Sequence, residues 1–244
     1  MQMTSKTLAP LCFLLGLGCL YGVSCSAQNS AQSTQRVDKA IQESNLPWKA
    51  ENWVVEQVAG GSVAFKNDHM EVVDKGGCTV WLKERLKAPV HIRFKARLVS
   101  NGGPLDRVSD LNCFWMATQT GGKDGGSIFG MQHHRTGAFA DYDSLSTYYV
   151  GMGGNTNTST RFRRYAGNGE RPLLPEHDLK GPQVLLEGNR DYLIEIESTE
   201  HGIRYLRDGV VLFDWTDPRP LTEGYFGFRT VWSHLEIRDF RVEH

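Results

Sequence analysis

From Trp48 to the C-terminus, apolar residues recur at every second position in short runs, and no stretch sustains the three-to-four spacing of an amphipathic helix. His91 to Val99 is the cleanest run. Ile92, Phe94, Ala96 and Leu98 fall on one side and Arg93, Lys95 and Arg97 on the other, the signature of a strand with one face in a core and one in water or a groove. Similar runs follow in YLIEIES, GIRYL, VVLFDW, GYFGFRTVW and LEIRDFRVEH, separated by Gly, Asn, Asp and Pro. Asp208-Gly209 between two apolar runs predicts a two-residue hairpin. The chain therefore reads as all-β, with order beginning near Trp48 and neither an internal repeat nor a second domain.

The same parity sorts Gly126 to Tyr165, the segment richest in reactive side chains. With Phe114 and Met116 as core markers, Trp115 falls on the opposite, open face of its strand. A strand is predicted over 127–135, where Phe129 and Met131 mark the core face, leaving Gln132 and His134 open and His133 on the core side. Val150 and Met152 put Tyr148 in the core and Tyr149 outward. Phe162 does the same for its strand, sending Arg161, Arg163 and Tyr165 to the open face and Arg164 inward. Arg164 then needs an internal partner, such as Asp141 or Asp143. Alternation against Phe226 and Phe228 adds Arg229 to the open set. Gly151, Gly153 and Gly154 suit a bend or tight turn; Asn155 and Asn157 are turn formers, with contact to a ligand as the alternative reading of both and Asn155 kept as the candidate.

This open face suits an acidic sugar. Eliminating a uronic-acid glycoside requires neutralising the carboxylate, removing the adjacent proton and protonating the leaving oxygen. Gln132 with Arg161 or Arg163 meets the first need. Neutral His134 as base and Tyr149 as acid, or Tyr149 in both roles, meet the others, with Trp115 as a stacking face. A glycoside hydrolase needs two carboxylates flanking the bond, and no Glu-x-Asp-x-Glu strand is present; Glu195 and Glu197 share a face without aromatic neighbours. A non-catalytic carbohydrate-binding module needs only aromatics and donors, so it stays open as the alternative. No cofactor is expected beyond a structural calcium, for which Asp141 and Asp143 offer oxygen ligands.

Composition narrows the partners. The formal net charge of the 244 residues is -1, which argues against nucleic acid or an anionic membrane as the main partner. Residues 1–27 read as an export signal: Lys6 precedes an apolar run from Leu8 to about Val23, too short for a membrane span, with cleavage after Ala27. Cys25 or Cys19 leaves lipid anchoring open, hence a periplasmic or secreted protein or an outer-membrane lipoprotein. Residues 28–46, rich in Gln, Ser and Ala, read as a flexible leader and 47–244 as one domain, expected to be a monomer. Cys78 and Cys113 remain after processing. No CxxC spacing supports zinc, and buried free thiols are the simpler reading.

Two stretches carry a family resemblance. The Arg-Asp-Gly hairpin followed by Gly-Tyr-Phe-Gly-Phe-Arg resembles the closing strands of concanavalin A-like jelly rolls, which implies two curved antiparallel sheets with a groove on one. RVSDLNCFWMA and YYVGMGGNTNTSTRFRRY resemble an uncharacterised family of exported bacterial proteins found among carbohydrate-degradation genes, over roughly Trp48 to His244. Gln132-His133-His134 is similar to the Gln-x-His strand of jelly-roll polysaccharide lyases of the alginate type. That likeness implies roles for Gln132, His134 and either Tyr149 or Tyr148, although an Arg-x-Glu element and the usual lysine-bearing tyrosine strand are missing. The keto-disaccharide hydrolases share the implied fold, but their signature segment is not evident.

Overall fold

The alternation of apolar and polar residues becomes, strand after strand, one face buried and one face turned out. The computed structural model describes residues 44–45, 48–121, 126–130 and 134–244. The expected signal peptide and nearly all of the expected leader, together with Gln132 and His133, lie outside the described residues. Fifteen strands occur among the described residues: β1 (Ser44–Asn45), β2 (Trp53–Gln57), β3 (Ser62–Phe65), β4 (His69–Val73), β5 (Cys78–Lys87), β6 (Val90–Leu98), β7 (Leu111–Gln119), β8 (Leu145–Gly153), β9 (Ser159–Ala166), β10 (Asp178–Leu179), β11 (Asp191–Ser198), β12 (Gly202–Arg207), β13 (Val210–Thr216), β14 (Glu223–Thr230) and β15 (His234–Glu243). One sheet runs β13-β12-β11-β6-β15-β4-β3, with β1 paired to β15. The other runs β10-β9-β8-β7-β14-β5-β2, and every pairing is antiparallel. The predicted all-β jelly roll is what forms. Asp208 and Gly209, both at positive φ, make the predicted hairpin between β12 and β13.

The main core lies between the sheets. Phe94, Ile194 and Ile237 from the first sheet meet Trp115, Phe162, Phe226 and Phe228 from the second. Removing each such side chain from water contributes about 1.5–3 kcal/mol. Cys78 and Cys113 are buried as free thiols, and burial pushes both thiol pKa values up. Arg164 does form an internal ion pair, but with Asp217, not Asp141 or Asp143. Its Nε donates to Asp217 Oδ2 at 2.8 Å, and the Tyr148 hydroxyl donates to the same oxygen at 2.7 Å. The two loop aspartates serve elsewhere: Asp141 accepts from the Thr136 backbone and hydroxyl, and Asp143 accepts two hydrogen bonds from Arg171. Among the described residues, no group of three or more His, Cys, Asp or Glu is placed to hold a metal ion.

The two sheets bury their faces differently. On β6 burial alternates as the sequence predicts, whereas on β7 every residue from Leu111 to Ala117 is buried. A second apolar cluster explains this. Trp81, Phe114, Tyr149, Tyr165 and Tyr225, from β5, β7, β8, β9 and β14, pack with Ile128, Phe129, Phe139 and Tyr142 of the β7–β8 connection. That connection thus lies against the outer face of the second sheet.

Two expectations are corrected by it. Residues 127–130 and 134–135 form no strand; Phe129 packs edge-on against Tyr225 instead, so parity has no meaning there. Trp115 belongs to the inter-sheet core, against Tyr148, Phe162 and Tyr205, and not to an open face. Met116 sits at φ 52 in a bulge between Trp115 and Thr118, which turns Trp115 and Met116 to the same core while Phe114 and Ala117 face out. With both faces of the strand apolar, hydrophobic alternation could not say which face was which.

Candidate functional site

Strand pairing sets residues of the second sheet in rows. One row reads Asp178, Arg161, Gly151, Asn112, Arg229, Thr79, Glu56 across β10, β9, β8, β7, β14, β5 and β2. The next reads Arg163, Tyr149, Phe114, Gly227, Trp81, Val54. The β7–β8 connection seals the β2–β5–β14 end of these rows. Its Arg135 forms a buried ion pair with Glu56 (Nε to Oε1 3.1 Å) and donates to the Ile128 carbonyl, while Trp81 Nε1 donates to Glu56 Oε2 at 2.8 Å. Gly77 and Gly137, both at positive φ, approach so closely that a Cβ on either would collide with the other's carbonyl.

The other end of the rows, over β7, β8 and β9, opens into a cavity of about 290 Å³. Arg161, Arg163, Arg171 and Arg229 line it, against Asp110 as the one carboxylate among the described lining residues. Two of these arginines are paired: Arg161 Nε to Asp178 Oδ1 at 2.7 Å, and Arg171 Nε to Asp143 Oδ1 at 2.7 Å. Arg163 instead donates to the Arg171 and Pro172 carbonyls. Arg229 is 1% exposed. Its Nη1 donates to Thr79 Oγ1 at 2.9 Å and to the Gly137 carbonyl at 3.0 Å, and its guanidinium lies 4.8 Å from the Phe139 ring centre and 4.9 Å from that of Tyr142. Neither Arg163 nor Arg229 meets a carboxylate among the described residues. A buried guanidinium without a counter-charge retains much of its desolvation cost, which an anion entering the cavity would offset.

Three buried polar atoms on the lining residues find no partner among the described residues: Arg229 Nε, Asn112 Oδ1 and the Tyr165 hydroxyl. Their chemistry is that of one donor for an anion, one acceptor and one hydroxyl of either sense. Tyr149 and Tyr165 stack with ring centres 5.9 Å apart. Gly151 makes room for Tyr149, since a Cβ there would stand 3.1 Å from the Tyr149 hydroxyl. Burial pushes both phenols up, Tyr165 to about 12 and Tyr149 further; the nearby Arg229 acts in the opposite direction on each. Asp110 is already engaged, accepting from Arg107 at 2.9 Å, from the Ser109 hydroxyl at 2.5 Å and from Asn112 at 3.3 Å.

Of the residues predicted from sequence, the cavity brings together Tyr149, Tyr165, Arg161, Arg163, Arg229 and Asn155. Asn155 belongs to the β8–β9 turn, where Gly153, Asn155, Thr156 and Asn157 all take positive φ. Asn157 anchors this turn by exchanging two hydrogen bonds with Leu186 (2.8 and 2.9 Å). His134 is exposed on the connection and is not among the lining residues. Asn112, Asp110, Arg171 and Phe139 were not singled out. Asn112 shares the parity of Phe114, a core marker in the sequence, so alternation assigns it away from the site with Phe114; Arg171 and Phe139 come from irregular segments whose placement no periodicity encodes.

Residues 72–240 match the model of a protein family described as Domain of unknown function (DUF6250), and the chain belongs to that family. No curated protein matches it. Among solved structures, a protein of unknown function with galectin-like fold from Bacillus subtilis is similar at TM-score 0.62 and 18% identity, covering 83% of this chain and 95% of that one. A carbohydrate binding module, CBM66, also from Bacillus subtilis, is similar at TM-score 0.53 and 11% identity over 79% and 96%. A native glycosidic hydrolase is similar at TM-score 0.52 and 14% identity over 82% and 94%. At these identities the likeness is one of fold.

Proposed function

We propose that the protein binds an acidic saccharide in the cavity over β7–β9, with a carboxylate of the sugar held by Arg229 and Arg163 and its hydroxyls by Asn112 and Tyr165. The observation that carries this is Arg229: a buried guanidinium, free of carboxylate partners among the described residues, beside two other unpartnered polar atoms on the same wall. Binding at a saccharide-sized cleft with few convergent polar groups also agrees with a fold that hosts a carbohydrate-binding module and a glycosidic hydrolase among its structural relatives. An exported protein, as residues 1–27 lead one to expect, would meet such glycans outside the cytoplasm.

β-Elimination at the same site is the second reading, favoured by Tyr149 standing among these arginines. A sugar carboxylate neutralised by Arg229 and Arg163 acidifies the adjacent C–H, and Tyr149 is the proton-transfer group beside it. Two features weigh against it. Burial raises the Tyr149 phenol pKa and so keeps it protonated in the unliganded site, with no phenolate to take the proton, and His134 does not line the cavity. Hydrolysis is supported less, because among the described residues Asp110 has no second carboxylate beside it on the cavity wall.

Incubating the protein with a panel of uronic-acid polysaccharides, while following binding by calorimetry and unsaturated products by ultraviolet absorbance, separates the readings. Binding without absorbance is expected. Absorbance that disappears in Tyr149→Phe would establish elimination, and new reducing ends without absorbance would establish hydrolysis. No binding to any uronate, with binding to neutral glycans, would overturn the acidic-saccharide reading.

A further inference from the structure

Trp232 follows directly after Val231, which lines the cavity, and it is 49% exposed. Its backbone is in the left-handed region, at φ 49, which is unfavourable for a bulky side chain. Both its backbone and its indole are held there. The Trp232 N–H donates to Oδ2 of the fully buried Asp74 at 3.0 Å, and its carbonyl accepts from Arg107 Nε at 3.0 Å. The indole Nε1 donates to the Pro104 carbonyl at 3.3 Å, and the Arg107 guanidinium lies over the ring, 5.4 Å from its centre. Arg107 also donates to the Val231 carbonyl and to Asp110 Oδ2, so the same side chain grips Trp232 and the cavity wall.

A large aromatic ring kept in a strained backbone, with one face covered and its polar edge satisfied, contributes little to the core. The ring is thus only half covered, with Arg107 lying over one face of it. Such a rigid apolar face beside a polar cavity is suited to the apolar face of a sugar ring, because stacking there removes both surfaces from water without ordering a mobile side chain.

We infer that Trp232 is a second saccharide subsite, adjoining the cavity across Val231, so that the ligand is an oligosaccharide of at least two units: an acidic unit among the arginines and its neighbour stacked on Trp232. This rests on the proposed acidic-saccharide site. It adds that recognition depends on chain length.

The test is calorimetric titration of the full chain with uronic-acid monosaccharides and with the matching oligosaccharides of two to four units, in the galacturonate, glucuronate and mannuronate series. Wild type should bind the best oligosaccharide about ten-fold more tightly than its monosaccharide, the effect of burying roughly 50–60 Å² of apolar surface. In Trp232→Asn that gain should vanish while monosaccharide affinity stays unchanged. Asn accepts positive φ, so this variant should fold, which its thermal midpoint verifies. In wild type, the oligosaccharide should also protect Trp232 from oxidation by N-bromosuccinimide, read by peptide mass, whereas the monosaccharide should not. Equal affinity at every length, or an unchanged length dependence in Trp232→Asn, would overturn the subsite and leave the acidic-saccharide site intact. No binding of any uronate by wild type would overturn both.

Discussion

Arginines face outward on both sheets, and at the cavity of the second sheet Arg161 and Arg171 are paired with carboxylates while two others are not. On the first sheet, Arg97 is held by Asp191 through two hydrogen bonds of 2.7 and 2.8 Å, Lys95 pairs with Asp239, Arg204 with Glu197 and Arg238 with Glu236. On the second, Arg163 and Arg229 reach no carboxylate among the described residues, and Arg229 is buried as well. Solvated charge that finds counter-charge on neighbouring strands is a surface. Cationic charge that the fold takes out of water and leaves uncompensated marks a place for an anion. The residue types are the same, so pairing and burial, not composition, separate a site from a solvated face.

The covered half of the second sheet offers the strongest way to break this contrast. Glu56→Gln removes the counter-charge of buried Arg135 and should destabilise the protein by about 3–5 kcal/mol, measured by denaturant unfolding. A loss below about 1 kcal/mol would mean that the Arg135–Glu56 pair does not hold the β7–β8 connection in place.

At the open half, Arg229→Lys keeps the charge but loses the planar fork. Affinity for acidic saccharides should fall by about 2 kcal/mol or more, roughly 30-fold, in calorimetric titration, with the circular dichroism spectrum retained. An affinity within three-fold of wild type would remove Arg229 from the site.

The phenols of the second sheet sharpen the comparison at alkaline pH. Tyr165 ionises at about 12 when folded, above its ordinary value near 10, so its contribution to stability is complete below about pH 10 and is lost as pH rises toward 12. Unfolding free energy should decline across that window, less so in Tyr165→Phe. A decline of equal size in the variant would assign it to other tyrosines.

The smallest effect belongs to the first sheet. Arg97→Gln should cost about 0–1 kcal/mol and leave saccharide affinity unchanged, because its ion pair is solvent-exposed. The hydrogen bond from Arg97 holds the Asp191 carboxyl below the ordinary carboxylate range. That small stabilisation is therefore present above about pH 4 and lost as pH falls through the depressed value, which the variant should no longer show.

Legibility in the sequence followed from how each strand is buried. β6 and β11 alternate because one face meets the core and the other meets water, and their sides could be named residue by residue. The same reasoning correctly separated Tyr148 from Tyr149 and Arg164 from its neighbours Arg163 and Tyr165, since Val150 and Phe162 are unambiguous core markers. It failed at Trp115, where a bulge and a second apolar layer make both faces hydrophobic. It failed again around His134, where Phe129, read as the core marker of a strand, instead packs on Tyr225 from an irregular connection.

The sequence by itself determined an all-β sandwich, its hairpin at Asp208-Gly209 and the outward parity of Tyr149, Arg161, Arg163, Tyr165 and Arg229, because these depend on periodicity and local backbone preference. Only the tertiary structure decided that Asp178 and Asp143 satisfy two of the cavity's arginines while Arg163 and Arg229 meet no carboxylate among the described residues, and that Trp232, next to the lining residue Val231, stays half exposed. Those outcomes depend on which distant segments come to lie side by side, with partners as far apart as Arg229 and Thr79, and no local pattern records such neighbours.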